Sequence, residues 1–274
     1  MDVHLVDGTY ELFRHYHALP AAREADGRDV AAVRGVVASL LGMVSGGATH
    51  VAVATDHVIE SFRNDLWPDY KTSEGMERAL LAQFQPLEDA LAAMGVAVWP
   101  MVALEADDAL ASAARLAAED PRVEKVCIWA NDKDLAQCVR EARVVQVDRK
   151  GNAIRDAQGV RAKFGVEPAL IADLLALVGD AQDGYPGISG IGKATAARLL
   201  NQYGPIEAFP PTVLGHERDR ALLFKDLATL RTDAPLFRDV DELEWHGPMS
   251  RFAEWAEKIG DARLLERSLK ARQP

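Results

Sequence analysis

The first half of the chain alternates short, continuous apolar runs with stretches whose apolar residues recur every three or four positions. VHLV (3–6), HVAVAT (50–55), VAVW (96–99), KVCIWA (125–130) and VVQVD (144–148) have the length and composition of buried strands. Between them, DVAAVRGVVASLLGMVSGG (29–47), ERALLAQFQPLEDALAAMG (77–95) and LEADDALASAARLAAED (104–120) have the helical period. Gly46 and Gly47 stop the first helix, and Pro86 is expected to kink or divide the second. Apolar strands alternating with helices predict an α/β fold, a parallel sheet flanked by helices on both faces. From about residue 157 the pattern changes. VEPALIADLLALVG, GKATAARLLNQYG, HERDRALLFKDLATLRTD and a C-terminal pair rich in Trp, Leu and Glu predict a smaller all-helical domain.

The chain has 274 residues, 49% of them apolar, enough to bury a sizeable core. Cys127 and Cys138 fit no metal-ligand spacing and suit a reducing compartment. The opening MDVHLVDGTY has no signal-peptide pattern, and no apolar run approaches the roughly 20 residues that span a bilayer. A soluble, cytoplasmic protein is expected. The net charge of −11 argues against nucleic acid as a partner until the acids are placed. Nine of them fall into one pattern, and without those nine the chain carries only about −2.

That pattern is acids at strand ends. Asp7 follows the first strand and Asp56 the second; Glu105, Asp107 and Asp108 lie just beyond the third, and Asp132 and Asp134 follow the fourth. Asp180 and Asp183 follow the apolar helix that ends at Gly179. Any single Asp after a strand is usually just a helix N-cap. Five such segments are poorly explained that way, and acids packed as in EADD and DKD repel one another without a cation. On a helix Glu105 and Asp108 share a face while Asp107 points more to one side. In an open parallel sheet these positions converge beyond the carboxyl ends of the strands, where ligands bind. An all-carboxylate array suits two or more Mg²⁺ or Mn²⁺ ions and two-metal phosphoryl transfer. The histidines form no metal spacing, and the five tryptophans suit the core better than base stacking.

PGISGIGKATAARLL carries a second signal. Gly187, Gly190 and Gly192 allow tight turns and close approach of a ligand. A helix is expected to open at about Lys193, where first-turn N–H groups favour a phosphate. Lys193 adds a charge and Thr195 a hydroxyl, contacts that position DNA without reading its sequence.

VDGTYELFRHYHAL (6–19), FRNDLWPDYK (62–71), EADDALA (105–111), NDKDLAQ (131–137) and GDAQDGYPGISGIGKATAARLL (179–200) resemble, in order, blocks of the 5′→3′ exonuclease and flap endonuclease family. That family includes the nuclease domain of bacterial DNA polymerase I. The resemblance implies a PIN-like nuclease core over residues 1–165, with a helical arch near 57–85, and a helical DNA-binding domain over 166–274. The latter would carry a helix-three-turn-helix motif at about 184–203. Asp7, Asp56, Glu105, Asp107 and Asp108 match the acids of a first metal cluster; Asp132, Asp134, Asp180 and Asp183 match those of a second. Asp108, Asp132 and Asp134 are expected to be the central catalytic acids. The resemblance further implies that Arg63 and Lys71 offset charge on the scissile phosphate, and that Tyr70 stacks on a base. A potassium ion at the glycine-rich loop is implied by some relatives.

The sequence departs from the family where Thr55 replaces the usual Phe, Glu74 the usual Arg, and Gly184 the usual Asn. The expected function is metal-dependent hydrolysis of DNA bearing 5′ flaps, 5′ ends or nicks. A PIN-type ribonuclease and a non-catalytic junction binder are the alternatives.

Overall fold

The computed structural model describes residues 1–20, 29–148, 153–259 and 261–271. The chain begins β1 (Asp2–Asp7), α1 (Gly8–Ala18), α2 (Ala31–Ser45), β2 (His50–Asp56), α3 (Arg63–Leu66), α4 (Arg78–Leu81) and α5 (Phe84–Ala93). It continues with β3 (Ala97–Met101), α6 (Ala106–Glu119), β4 (Lys125–Trp129), β5 (Val144–Asp148), β6 (Ala153–Arg155) and α7 (Ala157–Phe164). The helices α8 (Ile171–Val178), α9 (Lys193–Tyr203), α10 (Pro211–Leu214), α11 (Arg218–Ala228), α12 (Arg251–Lys258) and α13 (Ala262–Ala271) complete it.

Six strands form one sheet in the order β3-β2-β1-β4-β5-β6. β1 to β5 are parallel, as their unbroken apolar runs require, and β6, which the hydrophobic pattern did not reveal, pairs antiparallel with β5. The order reverses at β1, which lies between β2 and β4, so the crevice for a ligand opens beyond its carboxyl end. The register puts Asp7 opposite Ala54 and Asp56 opposite Met101, which lines the acidic strand ends along that edge. One face is covered by α1, α2 and α5, whose Leu12, Leu40 and Leu91 are fully buried. The other is covered by α6, with Leu110 and Ala113 against Leu5 and Ile128.

α7, α8, α9 and α11 build a separate core around Leu175, Leu200 and Phe224. The C-terminal pair does not belong to it. α12 packs on α5 and α13 on α2, so residues expected in the helical domain instead cap the outer face of the α/β lobe. Phe252 on α12 and Leu264 on α13 supply the apolar anchors.

Residues 57–85 do not form the expected helical arch. α3 and α4 are single turns, and the stretch between them is held down. The Trp67 indole donates to the Gly184 carbonyl at 3.1 Å, and the Lys71 N–H to the Asp183 carbonyl at 3.1 Å. The helical run 77–95 does divide, but before Pro86. Pro86 sits in the first turn of α5, where its missing N–H leaves no bond unmade. No described helix is long and apolar enough to cross a membrane.

Candidate metal centre

The first acids, at the ends of β1 and β2 and before α6, are placed through ordinary helix capping. Asp7 is the N-cap of α1, its Oδ1 accepting the Tyr10 N–H at 2.8 Å. Asp56 accepts the Ala106 N–H at 2.8 Å and so caps α6 from the neighbouring strand. The capping role and the acidic array are therefore the same residues: capping fixes where each carboxylate starts, and the convergence of the elements brings the charges together.

Apart from Asp56, which caps α6, the array has two unlike halves. Glu105 and Asp108 form a reciprocal capping box at the start of α6, with the Glu105 N–H on Asp108 Oδ2 at 3.0 Å. Both are buried against Arg63, whose guanidinium grips Asp108 through two bonds of 2.8 Å and Glu105 through one of 3.2 Å. The remaining Arg63 donors reach the carbonyls of Leu227 at 2.8 Å and Thr229 at 3.3 Å. Asp108 also accepts the Arg231 N–H at 2.8 Å. Glu105 accepts from Ser61 at 2.7 Å and pairs with the Lys71 ammonium at 2.7 Å. Burial would raise the Glu105 carboxyl, but Lys71 and Arg63 outweigh it and hold it below the usual range.

Two of the expected catalytic residues lie inside this buried lattice. Arg63 is 1% exposed and saturated by Asp108, Glu105 and backbone carbonyls, so it offers no charge to a phosphate. Asp108, expected among the central acids, is 0% exposed and fully satisfied. Its neighbour Asp107, on the other side of the helix, is the one that joins the open half. Tyr70 is corrected as well. It is 3% exposed, with its hydroxyl 3.5 Å from Glu105, so no ring face is offered to a base.

The open half consists of Asp7, Asp107, Asp132, Asp134, Asp180 and Asp183. Burial, with the charges of Asp132 and Asp7, drives Asp107 well above the ordinary carboxylate range. Asp134 is driven the same way by burial and by Asp132, Asp183 and Asp180. Asp7 is pushed up to about 8, first by burial, against the Tyr10 N–H and with the charges of Asp56 and Asp132 adding to the rise. Asp183 is pushed up to about 6 by burial, against the pull of Lys71. One oxygen each of Asp134, Asp180 and Asp183 lies within 4.8 Å of the others. Asp134 Oδ1 is buried and accepts no hydrogen bond among the described residues. A buried carboxylate oxygen without a donor, among carboxylates that repel one another, is the arrangement a divalent cation relieves. The donor set therefore fits a hard, oxygen-preferring metal.

Two ammonium groups stand at its rim. Lys71 pairs with Asp183 at 3.1 Å besides Glu105, and Lys133 with Asp180 at 2.7 Å. Neither Lys133, which stands between Asp132 and Asp134, nor Tyr185, whose buried hydroxyl has no partner among the described residues, was an expected site residue. That packing could not be read from spacing.

The glycine-rich segment follows α8 as expected, and α9 opens at Lys193 with Gly192 as its N-cap. Gly187 has φ +72° and lies so close to the backbone of Gly179 that a Cβ would meet its nitrogen at 2.3 Å. Gly190, at φ +79°, faces open space, as does Gly192. Lys193 is exposed and Thr195 half-buried on the first turn of α9.

Residues 2–165 match the family described as 5'-3' exonuclease, N-terminal resolvase-like domain, and residues 166–251 its C-terminal SAM fold. DNA polymerase I of Pseudomonas aeruginosa is 34% identical over 87% of this chain, which spans 28% of that relative's length. The 5'-3' exonuclease of Buchnera aphidicola is 28% identical over 85% of this chain and 87% of its own. The bacteriophage T5 flap endonuclease, solved with DNA and metal ions, shares the fold, with a TM-score of 0.70, 17% identity and coverage of 99% of this chain and 98% of that one.

Proposed function

Because the chain belongs to the 5'-3' exonuclease family, we propose that it is a divalent-metal-dependent 5′ nuclease hydrolysing phosphodiester bonds in DNA that bears 5′ flaps, 5′ ends or nicks. The observation that carries this reading is the open half of the acidic array, where six carboxylates meet only two lysines among the described residues, with Asp134 Oδ1 left without a donor. Asp7, Asp107, Asp132, Asp134, Asp180 and Asp183 would hold Mg²⁺ or Mn²⁺, the hard ions that carboxylates prefer. Such ions, when bound, activate a water and neutralise charge that develops on the scissile phosphate and the leaving 3′ oxygen.

The chain's own residues do the rest. Lys71 keeps a positive charge at the mouth of the site, because Asp183 and Glu105 outweigh the cost of burying its ammonium. It is the cation placed to meet a phosphate, in the role first expected of Arg63 as well. Glu105, Asp108 and Arg63 hold the α6 terminus and α11 in register beneath it. The open backbone at Gly190 and Gly192, with Lys193 and Thr195, would grip duplex phosphates irrespective of sequence. The same proposal assigns residues 1–165 to catalysis and 166–251 to holding DNA. It also gives the loop carbonyls near Gly190 as the place for a potassium ion.

Incubating the protein with labelled 5′-flap DNA, and with its RNA counterpart, in Mg²⁺, Mn²⁺ or EDTA tests the reading. Cleavage of the DNA that leaves a 5′ phosphate on the retained strand and a 3′ hydroxyl on the released flap, abolished by EDTA, is expected. Cleavage of RNA alone would make it a ribonuclease, and tight binding without cleavage a junction binder.

A further inference from the structure

A cavity of about 400 Å³ lies between α7, α8 and α9, beside the metal centre but outside it. Its walls are apolar: Phe164 from α7, Leu174, Leu175 and Val178 from α8, and Ala194 and Ala197 from α9. Its rim carries three lysines from three different elements, Lys133, Lys163 and Lys193. Lys133 reaches Asp180 of the acidic array at 2.7 Å, so the cavity and the metal centre share a wall. Lys163 lies 5.0 Å from the centre of the Phe164 ring. Lys163 and Lys193 have no carboxylate partner among the described residues, although the chain is strongly acidic. Burial and then Arg155 hold the Lys163 ammonium below its usual range, against the pull of Asp148 and Asp132, with Lys193 adding a smaller push the same way as Arg155.

We propose that this cavity is a binding site for a nucleoside 5′-monophosphate, its base against the walls from Phe164 to Ala197 and its phosphate between Lys163 and Lys193. An apolar slot of this volume accepts a body the size of a nucleobase, and a few convergent cations at one end fix the orientation of an anion. Lys193 and Ala194 of the cavity lining lie in the first turn of α9, where the free N–H groups add partial positive charge. The identity of the ligand rests on the nuclease reading, since hydrolysis from a 5′ end releases nucleoside 5′-monophosphates beside this wall. Occupancy would draw Lys193 away from duplex phosphates, so the released product would weaken the protein's hold on DNA.

Titration calorimetry on the full chain, with EDTA present so that the acidic array holds no divalent ion, tests this with dAMP, deoxyadenosine and inorganic phosphate. dAMP is expected to bind at least about tenfold tighter than either fragment. Lys163→Ala should weaken dAMP by about tenfold, the weight of one charge-assisted contact. Ala197→Leu, which fills the slot, should reduce binding at least as much. Both variants should keep the wild-type circular dichroism, and Lys163→Ala, at an exposed position, carries the test if Ala197→Leu does not fold. No heat with dAMP at millimolar concentration would overturn the proposal, as would unchanged affinity in Lys163→Ala, or phosphate binding as tightly as dAMP. Flap cleavage is measured separately, so loss of this site and loss of the nuclease reading give different results.

Discussion

Asp107 and Asp108 follow one another in the first turn of α6, yet their surroundings are opposite. Asp108 is gripped by two guanidinium bonds and two backbone N–H groups, while Asp107 faces the carboxylates of Asp132, Asp7 and Asp134, opposed by Lys71. The whole array repeats this division. Glu105, Asp108 and Arg63 form a neutralised lattice that ties α3, α6 and the end of α11 together. Asp7, Asp107, Asp132, Asp134, Asp180 and Asp183 carry a surplus of negative charge, held in place by the frame around them. The first set stabilises the fold at the expense of any free charge. The second destabilises the metal-free protein and so gains more from a cation.

The largest effect should come from the open half. Asp134→Asn removes the charge without changing the shape, and flap cleavage should fall by roughly a thousandfold to ten-thousandfold, about 4–5.5 kcal/mol. DNA binding should stay close to wild type, and in EDTA the variant should melt no lower than wild type, because one repelling charge is gone. Cleavage at the native rate would return the central role to another acid.

The frame should respond in the other currency. Arg63→Met leaves two buried carboxylates without their partner, and unfolding in urea should show a loss of roughly 3–5 kcal/mol. Excess Mg²⁺ should not restore it, since the affected carboxylates are not the ones that face the open cavity. Equal stability with lost activity would erase the distinction drawn between the halves. A smaller change is expected away from both. Lys193→Ala should weaken binding to every duplex severalfold and lower the slope of log affinity against log salt by about one.

Much of this was legible in the sequence because local rules and tertiary placement agree. A strand must end before its acid can cap a helix, so the spacing of VHLV and Asp7, or of VCIWA and Asp132, already places acids along one sheet edge. The helix opening at Lys193 was legible for the same reason, since glycines precede it and the apolar period begins there. The i,i+3 relation also put Glu105 and Asp108 on one face. What it could not say is which face is neutralised, because Arg63 arrives from 45 residues away. Tyr70 was misread because an aromatic beside a lysine has no local feature that distinguishes a core ring from an exposed one. β6 is three residues long, too short for a period. The docking of α12 and α13 on α5 and α2 is a long-range apolar match between amphipathic faces, and nothing local to residues 251–271 names the partner.

Glu74 offers the smallest and sharpest test, because it lies in neither half. It stands where the family resemblance leads one to expect Arg, in a segment that forms single turns rather than an arch helix. Its side chain is exposed, and it makes no ion pair with Arg78 among the described residues. A carboxylate about 6 Å from a phosphate, at an effective dielectric of about 20, is repelled by nearly 3 kcal/mol before screening. At an exposed position, salt and side-chain mobility leave only a small share of that. Glu74→Arg should therefore speed cleavage of flapped DNA by less than about threefold at low salt, with Glu74→Gln in between. The gain should vanish at high salt, where the Debye length falls below the separation. A tenfold or larger gain that survives high salt would mean that this segment closes tightly over the strand during cleavage, with Glu74 desolvated against it, and that a third region belongs beside the frame and the open half.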